Sequence, residues 1–206
     1  SQDSIIFNNS FSSASTTGSS SASYSTGLGL SRHLIYDYET DTSDKNLNII
    51  SNNILTVSEV LQNHNYNCFG LSVFSPWRPH YGHSRGFNEY LNCSSGFYQN
   101  YPFIKKISEF LEKAEDNQTF IFLHLPGAHP PLSLNNSSEL TDSNISAYYS
   151  TLFEVDMYFK SILNLIKQMK FYDDSLIMLL SDHGRAINPY HLRKYQFYED
   201  RIRVPL

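Results

Sequence analysis

The stretch Leu176-Ile177-Met178-Leu179-Leu180-Ser181-Asp182-His183-Gly184 gives the strongest indication of how this chain folds. Its five consecutive apolar residues, bounded by polar residues on both sides, are typical of a buried strand and are too few for an independent helix. That strand would end in an acid, an imidazole and a glycine. Because ligands bind at the carboxyl ends of the strands in α/β sheets, we expect Asp182 and His183 to lie at the rim of a crevice.

An adjacent carboxylate and imidazole, followed by a glycine that permits a sharp turn, suit a divalent metal such as zinc or manganese. The alternative is a strand-end Asp182 that caps a turn beside a surface His183. These three residues alone favour the alternative, but the flanking sequence favours the metal site.

Composition sets the class of protein. The 206 residues are 40% apolar, 17% charged and 15% aromatic, which is typical of a globular domain. The net charge of -5, without a basic stripe, argues against a nucleic-acid binder. The apolar runs are too short to cross a bilayer, and two cysteines exclude a cysteine-rich metal site.

Strands and helices alternate along the chain. Apolar runs predict strands at residues 68–74, 119–125 and 176–180, and residues 75–96 are expected to form a long loop. Apolar residues at helical spacing predict helices at residues 52–65, 102–114 and 145–169. This alternation predicts an α/β fold with a mainly parallel sheet and helices on both faces.

Residues 10–25 are dominated by Ser, Thr, Ala and Gly and end just before Thr26-Gly27. A flexible linker is one interpretation. The other is a turn that enters a helix, where a nucleophilic hydroxyl would lie at the positive end of the helix dipole. Since the chain begins inside a structured segment and stops where an apolar strand is starting, we expect an internal fragment of a longer protein.

Ordered motifs over nearly the whole chain resemble the sulfatase family of the alkaline phosphatase superfamily. Their order and spacing are more specific than any single motif. The resemblance rests on the following residues: a long helix with Asp156, a turn at residues 171–175, Ser181-Asp182-His183-Gly184, the block Lys194, Tyr198-Glu199 and Ile202-Arg203-Val204-Pro205-Leu206, His129 at a "Pro-His-x-Pro" position where Ala128 replaces the first proline, and Gly86-Phe87-Asn88 at a "Gly-Phe-Asp" loop.

The resemblance implies a three-layer α/β/α fold of the alkaline phosphatase type. Residues 1–206 would form one catalytic domain that lacks its first metal-ligand strand and its C-terminal part. Asp182 and His183 would be part of the coordination shell of a divalent ion (Zn, Mn, Ca or Mg). His129 and Lys194 would stabilise negative charge on the substrate, and His129 would also protonate the leaving oxygen.

The family pattern also implies a nucleophile just ahead of a small-residue helix that ends in Thr-Gly. Counting back indicates Thr17, with Thr16 as the neighbouring candidate and Ser15 and Ser19 as weaker ones. Asp156 is expected to be structural. Four other residues are expected on the surface or in loops: His80, His83, Arg185 and His191.

Two departures from the family pattern bear on the chemistry. Sulfatases carry a Cys or Ser, in a Cys/Ser-x-Pro-x-Arg context, that is oxidised to formylglycine. The segment around Thr17 has no Cys, Pro or Arg, and a threonine cannot give that aldehyde. A Thr nucleophile is instead used by phosphodiesterases, phosphonate hydrolases and lipid-headgroup phosphotransferases of the superfamily. The family's "Gly-Lys-Trp-His" cations are also missing at residues 72–75.

Three functions follow, in order of preference. The first is a metal-dependent hydrolase or transferase that cleaves sulfate, phosphate or phosphonate esters of a small molecule, glycan or lipid headgroup through a covalent Thr17 intermediate. The second is a catalytically silent domain that binds an anionic ligand or partner. The third is a non-enzymatic adhesive domain. The resemblance favours a periplasmic, extracellular or membrane-associated location, and we expect the 206 residues alone to be inactive.

Overall fold

The computed structural model describes residues 4–36, 49–73, 77–93, 103–125, 142–184 and 198–204. Its sheet has three parallel strands, β1 (Asn67–Ser72), β2 (Glu89–Asn92) and β3 (Thr119–His124), in the order β2-β1-β3. The strands predicted at residues 68–74 and 119–125 are confirmed. The prediction of one long loop over residues 75–96 is wrong, because it contains β2. This four-residue edge strand has polar ends and no continuous apolar run, so its pattern resembles that of a loop.

One face of the sheet packs against two helices, α4 (Phe103–Ala114) and the C-terminal part of α5 (Asp142–Ile166). The alternate side chains of β1 point to this face, and Phe69 stacks on Phe110 of α4 with ring centroids 5.1 Å apart. Glu89 of β2 forms ion pairs with Lys106 and Lys113 of α4. The apolar cluster on this face contains nine buried residues: Phe69, Leu71, Val73, Cys93, Phe103, Ile107, Phe110, Leu111 and Ile162.

The other face carries α1 (Thr17–Thr26), α2 (Leu30–His33) and α3 (Val57–Asn63). The rings of Tyr24, Trp77 and Phe122 pack together between α1 and β3. Gly70 of β1 faces this side because a Cβ there would lie 2.4 Å from the Tyr90 ring. Helices therefore cover both faces of a parallel sheet, as the alternation of strands and helices predicts.

The N-terminus of α3 is fixed by its sequence. Thr56 and Glu59 form a reciprocal capping box, and the Thr56 and Ser58 hydroxyls donate to the carbonyl of Arg85. Gly86, which follows with φ of 78°, approaches α3 so closely that a Cβ would lie 2.2 Å from the Glu59 nitrogen. The loop that connects to β2 is thereby held against α3.

The strand predicted at residues 176–180 is wrong. The segment has no regular secondary structure, and its five apolar side chains are exposed, from 39% at Ile177 to 87% at Leu176. An apolar run becomes a strand only when another strand pairs with it, and no described strand lies beside this one. Several apolar side chains of α5 that the spacing predicts to be buried are also exposed: Tyr149, Leu152 and Phe153.

A short helix, α6 (Glu199–Ile202), completes the described elements. Both cysteines, Cys68 and Cys93, are buried and free. Within the ranges given above, none of the helices combines the length and the apolar character needed to span a bilayer.

Candidate active site

Helix α1 is buried although it consists almost entirely of small polar residues. Three of its hydroxyls donate to backbone carbonyls one turn earlier in the helix: Ser21 to Gly18, Ser23 to Ser19 and Thr26 to Ala22. Gly27, with φ of 69°, ends the helix and donates its N–H to the Ser23 carbonyl. The segment is therefore a helix and not a flexible linker.

Thr17 is the first residue of α1 and is 8% exposed. The N–H groups of the first helical turn have no partner within the helix, so this end carries a partial positive charge that favours an anion. The hydroxyl of Thr17 lies 3.2 Å from Nε2 of His183, although 166 positions separate the two residues in the chain. The two ends of the described chain thus meet at this point.

Two of the other candidate hydroxyls, those of Thr16 and Ser19, have partners other than His183. Thr16 Oγ1 donates to Ser19 Oγ at 3.3 Å, and Ser19 Oγ in turn donates to the carbonyl of Tyr36. Both hydroxyls therefore form hydrogen bonds that stabilise the N-terminus of α1.

The hydrogen bonds of His183 define which of its ring nitrogens carries the proton. Nδ1 lies 2.7 Å from the carbonyl oxygen of Gly184, and a carbonyl only accepts. Nδ1 therefore carries the proton and donates it to Gly184. In the neutral ring Nε2 is then the unprotonated nitrogen, and its lone pair faces the Thr17 hydroxyl.

Asp182 presents a carboxylate oxygen to the same place. Its Oδ2 lies 3.6 Å from Nε2 of His183, while its Oδ1 accepts the backbone N–H of His183 at 2.9 Å. Both side chains are partly exposed. An unprotonated imidazole nitrogen and a carboxylate are suitable ligands for a divalent cation, and the Nδ1–H bond to a backbone carbonyl is the usual outer-shell support of such a histidine.

The donor set therefore fits a divalent cation but is only part of a coordination shell, which normally has four or more ligands. In the part of the chain that the structure describes, no group of three or more His, Cys, Asp and Glu residues is placed to hold a metal ion.

The segment at residues 198–204 links the two halves of the site. Gly184 donates its N–H to the carbonyl of Arg201 in α6 at 2.6 Å. Ser12, shortly before α1, donates to the carbonyl of Ile202 at 2.7 Å, and Val204 donates to the carbonyl of Ser10 at 3.0 Å. One short segment therefore contacts both the chain that leads into Thr17 and the chain that follows His183.

The glycine of the Ser181-Asp182-His183-Gly184 motif is required by this contact. A Cβ on Gly184 would lie 2.4 Å from the carbonyl oxygen of Asp200, too close for any real side chain. The motif thus needs its glycine for close approach to α6.

Among the residues predicted for the site, the structure brings Thr17, Asp182 and His183 together. His129 and Lys194 lie outside the described residues, as do Arg185 and His191. Asp156 is exposed on α5, away from the buried face of that helix.

Sequence reasoning missed His83. It was expected on the surface or in a loop; it does lie in a loop, but it is 2% exposed and contacts α1. Its ring lies against Trp77, with centroids 4.4 Å apart. The signal that could have indicated His83 is the spacing of three hydroxyl residues, Thr17, Ser21 and Ser25, at every fourth residue of a helix. This spacing predicts a polar partner along one face of that helix.

The family model of the sulfatases matches the chain over residues 1–206. The chain belongs to the sulfatase family. A search of curated proteins found no match to it.

Solved structures share the fold of this sulfatase-family chain. The phosphonate monoester hydrolase of Agrobacterium radiobacter aligns over 99% of this chain and 60% of its own, with a TM-score of 0.72 and 16% identity. Ps i-CgsB in complex with k-i-k-neocarrahexaose aligns over 97% and 56%, with a TM-score of 0.71 and 18% identity. The C-terminal periplasmic domain of the phosphoethanolamine transferase EptC from Campylobacter jejuni aligns over 98% and 66%, with a TM-score of 0.66 and 17% identity.

These similarities confirm the expected alkaline phosphatase-like α/β fold. The neighbours also include a protein of the alkaline phosphatase superfamily from Vibrio parahaemolyticus and a zinc complex. The chain spans 56% of the length of the Ps i-CgsB structure and 60% of the length of the phosphonate monoester hydrolase.

Proposed function

We propose that this sulfatase-family domain is the catalytic part of a metal-dependent hydrolase or transferase that cleaves phosphate, phosphonate or sulfate esters through a covalent intermediate on Thr17. The observation that carries the proposal is the 3.2 Å approach of the Thr17 hydroxyl to the unprotonated Nε2 of His183. The Nε2 lone pair would bind the cation, so the cation, held beside the hydroxyl, would activate it. Metal coordination is one of the ways in which a weak hydroxyl becomes a nucleophile.

A divalent cation held by Asp182 and His183 would lower the pKa of the Thr17 hydroxyl and offset negative charge on the substrate. The residues of the chain supply the remaining parts. The Thr17 hydroxyl loses its proton to solvent, its Oγ1 forms the new bond to phosphorus or sulfur, and the bond to the ester oxygen breaks. The N–H groups at the start of α1 and the Lys194 ammonium stabilise the oxyanion charge, and His129 gives its proton to the leaving oxygen. Water or an acceptor alcohol then takes the group from Thr17.

Thr17 favours phosphorus esters over sulfate esters. Formylglycine cannot form from threonine, and no cysteine lies in the described part of α1 or in the residues that lead into it. A phosphonate monoester hydrolase and a phosphoethanolamine transferase stand among the neighbours beside sulfatases, so phosphorus esters are compatible with this fold. The substrate class we propose is therefore a phosphate diester or a phosphonate ester of a small molecule, glycan or lipid headgroup.

The 206 residues, in this proposal, are one part of a larger catalytic domain whose first metal-ligand strand and C-terminal part lie outside them. The exposed apolar run at residues 176–180 and the partial coverage of the neighbours support this view. The periplasmic domains among the neighbours support a periplasmic or extracellular location.

A catalytically silent domain that binds an anionic ligand is the second candidate. The small donor set favours it, because Asp182 and His183 are not joined by a third His, Cys, Asp or Glu among the described residues. The two candidates differ in one measurable respect, which is turnover.

The test is turnover by the complete gene product with zinc, manganese, calcium or magnesium. Bis(4-nitrophenyl) phosphate, 4-nitrophenyl phenylphosphonate and 4-nitrophenyl sulfate are the three probes. Replacing Thr17 by Ala is expected to reduce turnover by about 10³-fold or more. Thr16→Ala is the matched control, because its hydroxyl bonds to Ser19 and not to His183, and it should retain most of the activity. Equal turnover by Thr17→Ala and the unaltered protein would exclude Thr17 as the nucleophile. No turnover by any of them would favour the silent domain.

A further inference from the structure

The buried imidazole of His83 contacts the same helix that carries Thr17. Its Nε2 lies 3.4 Å from Ser21 Oγ, and its Nδ1 lies 3.2 Å from Ser25 Oγ. Thr17, Ser21 and Ser25 are spaced four positions apart, so their three hydroxyls follow one side of α1. His83 therefore bridges the two turns that come directly after Thr17.

These hydrogen bonds have a defined direction. The Ser21 hydroxyl donates its single proton to the carbonyl of Gly18 at 2.8 Å, so its oxygen is left to accept from His83. Nε2 of His83 then carries the ring proton, and Nδ1 accepts from the Ser25 hydroxyl. The chain of donors runs from Ser25 through His83 and Ser21 to the carbonyl of Gly18, the residue that follows Thr17.

The ring stays neutral over the working range of pH. Burial, aided by the charge of Arg85 and by His124, lowers the pKa of His83 to about 3. A neutral imidazole donates at one nitrogen and accepts at the other, which is what the two serines require.

The loop that carries His83 is fixed at both ends. Gly82 has φ of 93°, and a Cβ there would lie 3.2 Å from the Ile50 side chain. Gly86 lies against the backbone of α3, where a Cβ would be 2.2 Å from the Glu59 nitrogen. Because Gly82 lies against Ile50 and Gly86 lies against α3, the loop is held at both ends and His83 is a rigid support for α1.

We propose that His83 is a positioning residue, which fixes the rotation and height of α1 through Ser21 and Gly18 and so holds the Thr17 hydroxyl against His183. The inference rests on the proposed role of Thr17. It assigns no direct contact of His83 with the substrate.

The experiment compares five variants, Thr17→Ala among them, with the unaltered complete gene product, using bis(4-nitrophenyl) phosphate and 4-nitrophenyl phenylphosphonate as probes. Ser21→Ala and His83→Phe remove the link to Gly18 and are expected to lower kcat by about 10-fold to 100-fold with little change in KM, because a small misplacement of a reacting group costs this much. His83→Gln keeps an N–H donor near the position of Nε2 and should retain kcat within about 3-fold.

His33→Phe is the matched control. His33 is also a buried histidine bound to α1, but its Nε2 lies 2.9 Å from Ser23 Oγ, and the Ser23 hydroxyl donates to the carbonyl of Ser19. The His33→Phe substitution should lower the stability of the fold without the fall in kcat. This control therefore separates general destabilisation of α1 from positioning of Thr17. A second readout needs no turnover: long-range ¹H–¹⁵N spectra of the unaltered protein should show the proton of His83 on Nε2.

The outcomes are distinguishable. If Thr17→Ala keeps full turnover, the proposed function fails and this inference fails with it. If Thr17→Ala is inactive while Ser21→Ala and His83→Phe keep the kcat of the unaltered protein, the inference alone is overturned. An equal loss of kcat in His33→Phe, or a proton on Nδ1 of His83, would overturn it as well.

Discussion

At the scale of single residues, the geometry of the site depends on the tautomer of His183 and on the close approach of Gly184 to α6. The tautomer of His183 follows from one contact, the Nδ1–H bond to Gly184, which leaves Nε2 free to face Thr17. The sequence predicts which residues meet, but not this contact, because it depends on backbone atoms whose placement no motif specifies.

Replacing Gly184 by Ala tests how closely the motif must approach α6. Since the added Cβ would lie 2.4 Å from the Asp200 carbonyl, backbone must shift, and we expect a loss of about 1–3 kcal/mol in the free energy of unfolding. Gly29→Ala is the control, because nothing lies within 4 Å of a Cβ there and its φ is -75°. Urea denaturation of both variants measures the difference. Equal stability of the two would refute the close-contact explanation.

At the scale of elements, the helices and strands whose own apolar spacing is regular were predicted well. Strands β1 and β3 and helices α4 and α5 agree with the apolar spacing to within a few residues. The prediction at residues 176–180 failed because a strand is a property of a pair, and sequence periodicity describes only one member. Strand β2 was missed for the opposite reason, because its pairing with β1 compensates for a weak pattern.

Amide exchange tests the unpaired state of residues 176–180 in the 206-residue chain. The amides of this segment make no hydrogen bond to another described backbone group, so they should exchange within seconds to minutes at neutral pH. The amides of β1, which lies between two strands, should be protected far longer. Protection of residues 176–180 equal to that of β1 would contradict the structure.

At the scale of the whole molecule, two buried histidines couple folding to pH. Burial lowers the pKa of His33 and lowers that of His83 to about 3, against an ordinary value of 6.5. Below pH 6.5 the unfolded chain binds protons that the folded chain excludes. The stability that these neutral rings provide is therefore complete above pH 6.5 and is lost as the pH falls toward the folded values.

We expect the free energy of unfolding to fall between pH 6.5 and 4.5, by up to about 1 kcal/mol per pH unit for His83, with a further fall in the same direction from His33. His83→Gln removes one titrating group and should flatten this part of the pH profile. Urea unfolding at half-unit steps of pH gives the slope for both proteins. If the free energy of unfolding changes with pH equally in His83→Gln and in the unaltered protein, the fold does not prevent the protonation of His83.

The family and the α/β architecture could be predicted from the order of motifs along the chain, and the family match over residues 1–206 confirms them. The meeting of Thr17 with His183 was expected from the same order. Its physical cause, however, is the segment at residues 198–204, which bonds to Ser10, Ser12 and Gly184 through backbone atoms alone. Side-chain patterns carry no information about such bonds, so this part of the site needed the structure.

The central claim is that Thr17 becomes covalently modified during turnover. The most direct test is acid quenching of the complete gene product during turnover of bis(4-nitrophenyl) phosphate with a divalent metal, followed by mass spectrometry of its peptides. The account predicts a 4-nitrophenyl phosphoryl group on the peptide that contains Thr17, present also in Thr16→Ala and absent in Thr17→Ala. The same group on another residue, or turnover by Thr17→Ala at the unaltered rate, would contradict it.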